Sequence, residues 1–437
     1  MKSNNINITL CADLCTGCGI CEGACPFDAI STIVEKGNFR PKIDIDKCTD
    51  CGRCVKSCPG LCVDFKSLSN KFQPDVDYYD KMVGRFEKCF TGYSTDFDIR
   101  YHSASGGMVS QLLIWLLENN KIDGAVVTRF DKDNPLLVNT FIATTREDII
   151  SARSSKYAPV SLNNAVKEIK SASGSRYVVV GLPCHIQGIR KLMEIDKKLR
   201  DKVVGLFGLY CSSGRSFYLT EYIFKERGID KNCINYFQYR DEGCLGKMVI
   251  TLPQIPGNSI RVMNSNSEKI TDNESITYKE LFQSYYHPLR SFFVPNRCNY
   301  CIDHYAELAD ICFGDIHIKP YSDDTIGINS IIVKNKNWLN LLEECHRSGA
   351  VHLDEVSFKT ISDSQRMSFK KKGRNGAFVS IAKKLGWPVP EYDVDYLRQP
   401  TRHDWITFAQ TRFQQIIGSH KSLWVLIAKL KAKVNIH

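Results

Sequence analysis

The 437-residue chain lacks any stretch approaching the roughly 20 apolar residues that a membrane helix needs. Its first residues, MKSNNINITL, hold no apolar segment of the secretory kind. The expected location is therefore cytoplasmic. It has no G-x-G-x-x-G fingerprint and no G-x4-G-K-[ST] loop, which argues against a standard dinucleotide site and against an NTPase. No DNA-binding module is recognisable. Lys and Arg are scattered without interleaved aromatics, so no nucleic-acid partner is expected. What the chain does have is 19 cysteines. In a reducing compartment, clustered thiols bind metal more readily than they form disulfides.

The first 65 residues repeat with a period of 33. DLCTGCGICEGACP starts at Asp13 and DKCTDCGRCVKSCP at Asp46. Each half reads C-x2-C-x2-C-x3-C-P. Three close thiolates can wrap three irons of one cubane, while the fourth reaches the neighbouring cluster. The expected assignment is crossed: Cys15, Cys18, Cys21 and Cys58 hold one 4Fe-4S cluster, and Cys48, Cys51, Cys54 and Cys25 the other. A zinc ribbon also uses C-x2-C pairs, but does not call for this run twice with a proline after each. Residues 8–66 resemble the bacterial two-cluster ferredoxins. Cys11 and Cys62 fall outside the pattern and are expected to be small buried hydrophobes.

Residues 71–100 read as a connector that becomes ordered toward its end. From 101 to 335, strand-like and helix-like runs alternate, so an α/β domain with a mostly parallel sheet is expected. In such sheets, ligands gather beyond the carboxyl ends of strands. Cys184, after YVVVGLP, and Cys211, after VVGLFGLY, occupy such ends. Beside His185, Cys184 can be read as a nucleophile, a ligand or a buried thiol. Cys298 and Cys301 form a further C-x2-C, and the four together would complete a third cluster. Cys312, in an apolar strand, is the rival ligand. Cys89, Cys233, Cys244 and Cys345 have no spacing signal.

SASGG followed by DGAVV, then ARSSKYAPVSLNNAV, GLPCHIQGIRKL, GLYC and RCNYCIDHYAELADICFGD resemble, in order, the beta subunit family of the coenzyme F420 hydrogenases and dehydrogenases, over residues 85–335. The resemblance implies FAD (in preference to FMN) and a 4Fe-4S cluster on Cys184, Cys211, Cys298 and Cys301. It implies an iron–sulfur flavoprotein oxidoreductase that passes electrons from a ferredoxin-like donor or partner subunit to a flavin, and on to a small-molecule substrate by hydride transfer. Surface-polysaccharide metabolism is one setting, from bacterial relatives. The alternative is an electron-transfer subunit with no substrate of its own, and a redox sensor ranks third. Ser105, Gly106 and Gly107 before a helix, with Ser154, Ser155, Lys156 and Tyr157, are the candidate flavin-binding residues. His185 is the catalytic candidate, as a proton donor.

The formal charge of +10 falls to roughly +2 once three clusters and a flavin pyrophosphate are counted. Residues 336–437 read as helical and basic. The final segment pairs Leu423, Trp424, Leu426, Ile427 and Leu430 with lysines, a stripe that suits either a helix docked on protein or peripheral contact with an anionic membrane. Homo-oligomerisation stays open.

Overall fold

The computed structural model describes residues 4–76, 78–131, 134–289 and 291–434. The sequence repeat is also a backbone repeat. Short helices Ile20–Ala24 and Arg53–Lys56 each follow a left-handed glycine, Gly19 (φ 73°) and Gly52 (φ 74°). A side chain at either position would be strained, so C-x2-C-x2-C needs glycine there. Between the halves, Ile30–Glu35 pairs antiparallel with Asn38–Ile43.

This N-terminal segment is packed into the rest of the chain. Ile20 and Ala24 share a core with Val166, Ile169, Ile186 and Ile189. A Cβ on Gly23 would lie 2.4 Å from Val166 Cγ1, so the two helices touch through glycine. The buried Glu22 carboxylate meets Lys167 at 3.1 Å and accepts from Asn163 at 3.0 Å.

Eight strands form the large sheet: β1 (Lys88–Ser94), β2 (Gly124–Phe130), β3 (Val138–Ala143), β4 (Tyr177–Gly181), β5 (Val203–Leu209), β6 (Ile311–Asp315), β7 (Asn329–Val333) and β8 (Val351–Val356). Their spatial order is β8-β1-β7-β6-β5-β4-β2-β3. The four inner strands β6, β5, β4 and β2 are parallel. The other pairings are antiparallel, so the sheet is mixed rather than mostly parallel. Parallel neighbours need a crossover, whereas β2–β3 and β6–β7 are joined by chain without one. The expected connector contains β1, an inner strand, and residues 336–356 supply a helix (Lys336–Arg347) and edge strand β8. The boundaries at 71–100 and 336 therefore cut through the sheet.

A second, antiparallel sheet runs Tyr236–Asp241, Lys247–Pro253, Ser275–Leu281, Ser267–Thr271. The C-terminal stripe docks on the core beside it. Trp424 is 3% exposed, ringed by Tyr218, Tyr222 and Phe293, and Ile427 is buried with it. Leu423, Leu426 and Leu430 pack on the same core. Lys431 and Lys421 pair with Glu226 and Glu221. The stripe is thus spent on protein rather than left for a membrane. No helix among the described residues is long and apolar enough to cross one. Trp424→Ala should cost about 3–5 kcal/mol and lower the Tm. An unchanged Tm together with loss of binding to anionic vesicles would restore the membrane reading.

Candidate iron–sulfur site

Register brings two cysteines together before any side chain is considered. Gly181 of β4 and Gly208 of β5 are paired, and Cys184 and Cys211 each lie three residues beyond. Cys184 opens helix Pro183–Ile195, whose first position is a proline. The Cys211 N–H donates to the His304 carbonyl at 2.9 Å. Cys298 and Cys301 sit on and just after the 3-10 turn Asn296–Tyr300. Asn375 Nδ2 ties that turn down, donating to the carbonyls of Cys298 (3.3 Å) and Cys301 (2.6 Å). All four cysteines line one cavity of about 260 Å³.

A second, smaller cavity is lined by Cys15, Cys18, Cys21 and Cys58, thiols from both halves of the repeat. N–H groups of Gly17 and Gly60 point at Cys15 Sγ (3.4 Å) and Cys58 Sγ (3.3 Å). Of the other set, Cys25 packs with Cys54, Asn5 Nδ2 approaches Cys48 Sγ at 3.9 Å, and Cys51 is exposed. Among the described residues, no three His, Cys, Asp or Glu side chains are arranged to hold a single metal ion. Zinc would need sulfurs about 3.8 Å apart, given Zn–S bonds of about 2.3 Å. Thiols lining a common cavity fit a cubane, which spreads its ligands around four irons.

Burial pushes the thiols up, Cys15 and Cys211 to about 11 and Cys18 to about 12, with Cys184 also raised well above its ordinary value. Iron would reverse this, since a coordinating thiol is deprotonated outright. One countercharge is already in place. Lys371, 2% exposed, donates to the carbonyls of Cys211 and Asp303 at 2.6 Å each, and nearby Cys301 and Cys211 favour its charged form. Lys371 and Asn375 come from the basic run FKKKGRN. Its charge was legible in the sequence, but its reach to the cysteine loops was not.

Cys312 lies within β6, its Sγ 3.4 Å from the Ala306 carbonyl and outside the cavity. Cys11 is exposed, not buried as expected, because helix Asn7–Cys11 turns its last residue outward. Cys62 Sγ lies 3.4 Å from Lys191 Nζ.

His185, the expected proton donor, lines the cavity with both ring nitrogens bonded to backbone. Its Nδ1 accepts from the Leu182 N–H (3.1 Å) and its Nε2–H donates to the Val160 carbonyl (3.1 Å). The ring is 2% exposed, and burial lowers its pKa to about 4. Both nitrogens are committed to shaping the turn before Cys184.

The expected flavin residues have partners within the protein. Ser105 Oγ donates to the Ile328 carbonyl, and a Cβ on Gly106 would meet Gly92 O at 2.8 Å. Gly107 is a left-handed helix entry, and the Met108 N–H is taken by Asn329 Oδ1. Lys156 is turned onto the carbonyls of Ala152, Arg153 and Ser154, burial lowering it to about 7. Tyr157 stacks among Phe282, Tyr286 and Tyr239. Neither motif, Ser155 included, lines the cysteine cavity. Gly106 serves close backbone packing, and Ser105 and Lys156 bond backbone carbonyls.

His185 generates a pH prediction. Between pH 6.5 and 4 the unfolded chain takes up a proton that folded His185 refuses, so its contribution falls as pH falls through that window. His185→Gln, which can make both hydrogen bonds, should retain iron at the wild-type level. It should also flatten the acid loss of unfolding free energy, by about 3 kcal/mol across the window. An unchanged acid profile would contradict the assignment of a buried neutral ring.

Three family models match the chain: the 4Fe-4S dicluster domain over residues 14–62, and the coenzyme F420 hydrogenase/dehydrogenase beta subunit N-terminal and C-terminal models over 89–167 and 174–359. The coenzyme F420-dependent sulfite reductase of Methanocaldococcus jannaschii is 26% identical over 294 residues, which is 63% of this chain but only 40% of that protein. The coenzyme F420 hydrogenase subunit beta of Methanococcus voltae is 25% identical over 313 residues, covering 70% of this chain and 99% of the relative. A chain of the F420-reducing [NiFe] hydrogenase complex from Methanosarcina barkeri superposes with a TM-score of 0.52 at 20% identity, over 74% of this chain and 99% of that one, a likeness of fold. With a ferredoxin-type segment in front, the chain belongs to the coenzyme F420 hydrogenase/dehydrogenase beta subunit family.

Proposed function

We propose that the protein relays single electrons between an external redox protein and an acceptor beside the 260 Å³ cavity, through three 4Fe-4S clusters. The ligand sets are Cys48, Cys51, Cys54 and Cys25; Cys15, Cys18, Cys21 and Cys58; and Cys184, Cys211, Cys298 and Cys301. Bound clusters would supply one-electron chemistry. The observation that carries this reading is the meeting of four thiols from three separate loops in one cavity that also reaches Cys15.

The chain's own residues fit the task. Exposed Cys51 gives the first set a surface at which a partner can dock, whereas Cys18, Cys21 and Cys58 are buried against the interior. Lys371, Arg297 and Asn375 fix the loops that bear the third set. Arg297 does so across the seam, donating to the carbonyls of Pro59 (3.0 Å) and Gly60 (2.8 Å). The domains implied are residues 1–70 for the ferredoxin part and a sheet domain beginning at β1. An electron-transfer subunit is the reading preferred, supported by relatives named as subunits of a coenzyme F420 hydrogenase and of an F420H2 dehydrogenase. The relatives named for coenzyme F420 make a deazaflavin-using complex its natural setting.

Protein purified anaerobically should contain about twelve irons per chain, falling to about eight in Cys184→Ser with the ferredoxin signals intact. Eight irons in the wild type would remove the third cluster. Full iron in the variant would return Cys184 to a nucleophile or a packing thiol.

A further inference from the structure

We propose that the cysteine-lined cavity is also an oxyanion site, holding a small phosphate- or carboxylate-bearing molecule between Arg215 and Arg412, with Lys36 and Arg40 of the N-terminal hairpin on its rim. This rests on the relay reading and names the chemistry of the acceptor side.

The cavity wall carries six cations, Lys36, Arg40, Arg215, Arg297, Lys371 and Arg412, against one carboxylate, Asp13. Asp13 is already paired with Arg40 at 3.2 Å. A cubane at the four thiols brings about −2, set against three cations near it: Lys371 and Arg297, which bind the cysteine-bearing loops and the Pro59–Gly60 seam, and Arg215, whose charge is felt at Cys211. The wall is in excess of that charge, with Arg412 and Lys36 besides, and among the described residues neither these two nor Arg215 has a carboxylate partner.

Arg215 is the strongest sign of a ligand. It is 4% exposed, and its Nη1 reaches only Ser213 and Gly214 of its own loop. Its Nε is buried without any hydrogen-bond partner. A buried donor left unmade costs about 1–3 kcal/mol, and more on a charged group, so such a group is kept where something binds it. Arg412 is held by neutral groups, Asn296 Oδ1 and Gln415 Oε1. Bidentate guanidinium pairs suit planar or tetrahedral oxyanions. Phe39, Tyr218 and Phe293 line the same space and offer an apolar surface to an organic body. An acidic protein surface could not reach a guanidinium as buried as Arg215.

Arg40 and Lys36 come from the ferredoxin-type segment, Arg215 from the loop after β5, and Arg412 from helix Arg402–Ser419. The site therefore exists only when all three parts are docked. A ligand bound there would share the cavity with Cys15 and the Cys184 set.

The test is calorimetric titration of the anaerobic, iron-loaded full chain with inorganic phosphate and, separately, malonate. One saturable site per chain is expected. Arg215→Gln and Arg412→Gln should weaken it at least tenfold, Lys36→Gln less, and the distant exposed Lys269→Gln not at all, with iron content unchanged. Preference for phosphate assigns a phosphoryl ligand, and preference for malonate a carboxylate. Absence of saturable binding up to 20 mM of either, at about twelve irons per chain, would overturn the oxyanion site and leave the relay standing; about eight irons would instead strike the relay. Should Arg215→Gln lose iron, Arg412→Gln and Lys36→Gln decide, and unchanged affinity in both overturns the proposal.

Discussion

Helix Pro183–Ile195 is the constraint on which the site depends, because it touches both thiol-lined cavities. Its second residue is Cys184, and Lys191, seven residues or about 10 Å of rise further on, donates to the carbonyls of Cys58 (2.8 Å) and Cys62 (2.6 Å). Between them Gly188 lets Ile20 and Pro59 come close: a Cβ there would lie 2.9 Å from Ile20 Cγ1. One rigid element thus sets the separation of the two cysteine sets. At its start His185, with both ring nitrogens bonded, holds the turn that presents Cys184.

Charge is the second organising constraint. Buried cations are costly unless paired, yet Lys371, Arg297 and Lys191 are all at most 7% exposed and bond backbone carbonyls. Each lies beside cysteines. A chain built to hold anionic clusters would need such a distribution, with the protein supplying positive charge and the clusters completing the balance. The same excess extends to Arg215, whose charge is felt at Cys211, and to Arg412 in the same cavity wall. Elsewhere in the fold both arrangements occur: Arg190 has Asp310 (2.9 Å) and Arg240 has Asp315 (2.8 Å), whereas Lys334 and Lys156 bond backbone carbonyls.

Local spacing carried much of this in the sequence. The C-x2-C-x2-C-x3-C-P repeat and the strands before Cys184 and Cys211 were legible because each is a short-range pattern. Three kinds of feature were not. β1 (KCFTGYS) and β8 (VHLDEV) mix polar and apolar residues and take their strand state from neighbours distant in sequence. Lys371 and Asn375 were visible only as part of a basic run, since nothing local tells which lysine of three turns inward. Ser-Gly-Gly at 105–107 and Lys156 resembled a phosphate cradle in composition. The glycines instead answer the close approach of Gly92 and Asn329, and the lysine binds its own loop. For His185, the sequence shows only a histidine beside a cysteine, while the two backbone partners of its ring lie distant in the chain or in the turn before it.

The central claim is that a third cluster sits close to the ferredoxin pair, across one helix. EPR of the fully reduced protein tests it most directly. Nearby paramagnetic clusters couple magnetically, so the wild type should give a broadened, interacting spectrum that simplifies in Cys184→Ser to that of a two-cluster ferredoxin. A wild-type spectrum identical to that of the Cys184→Ser variant would contradict the account.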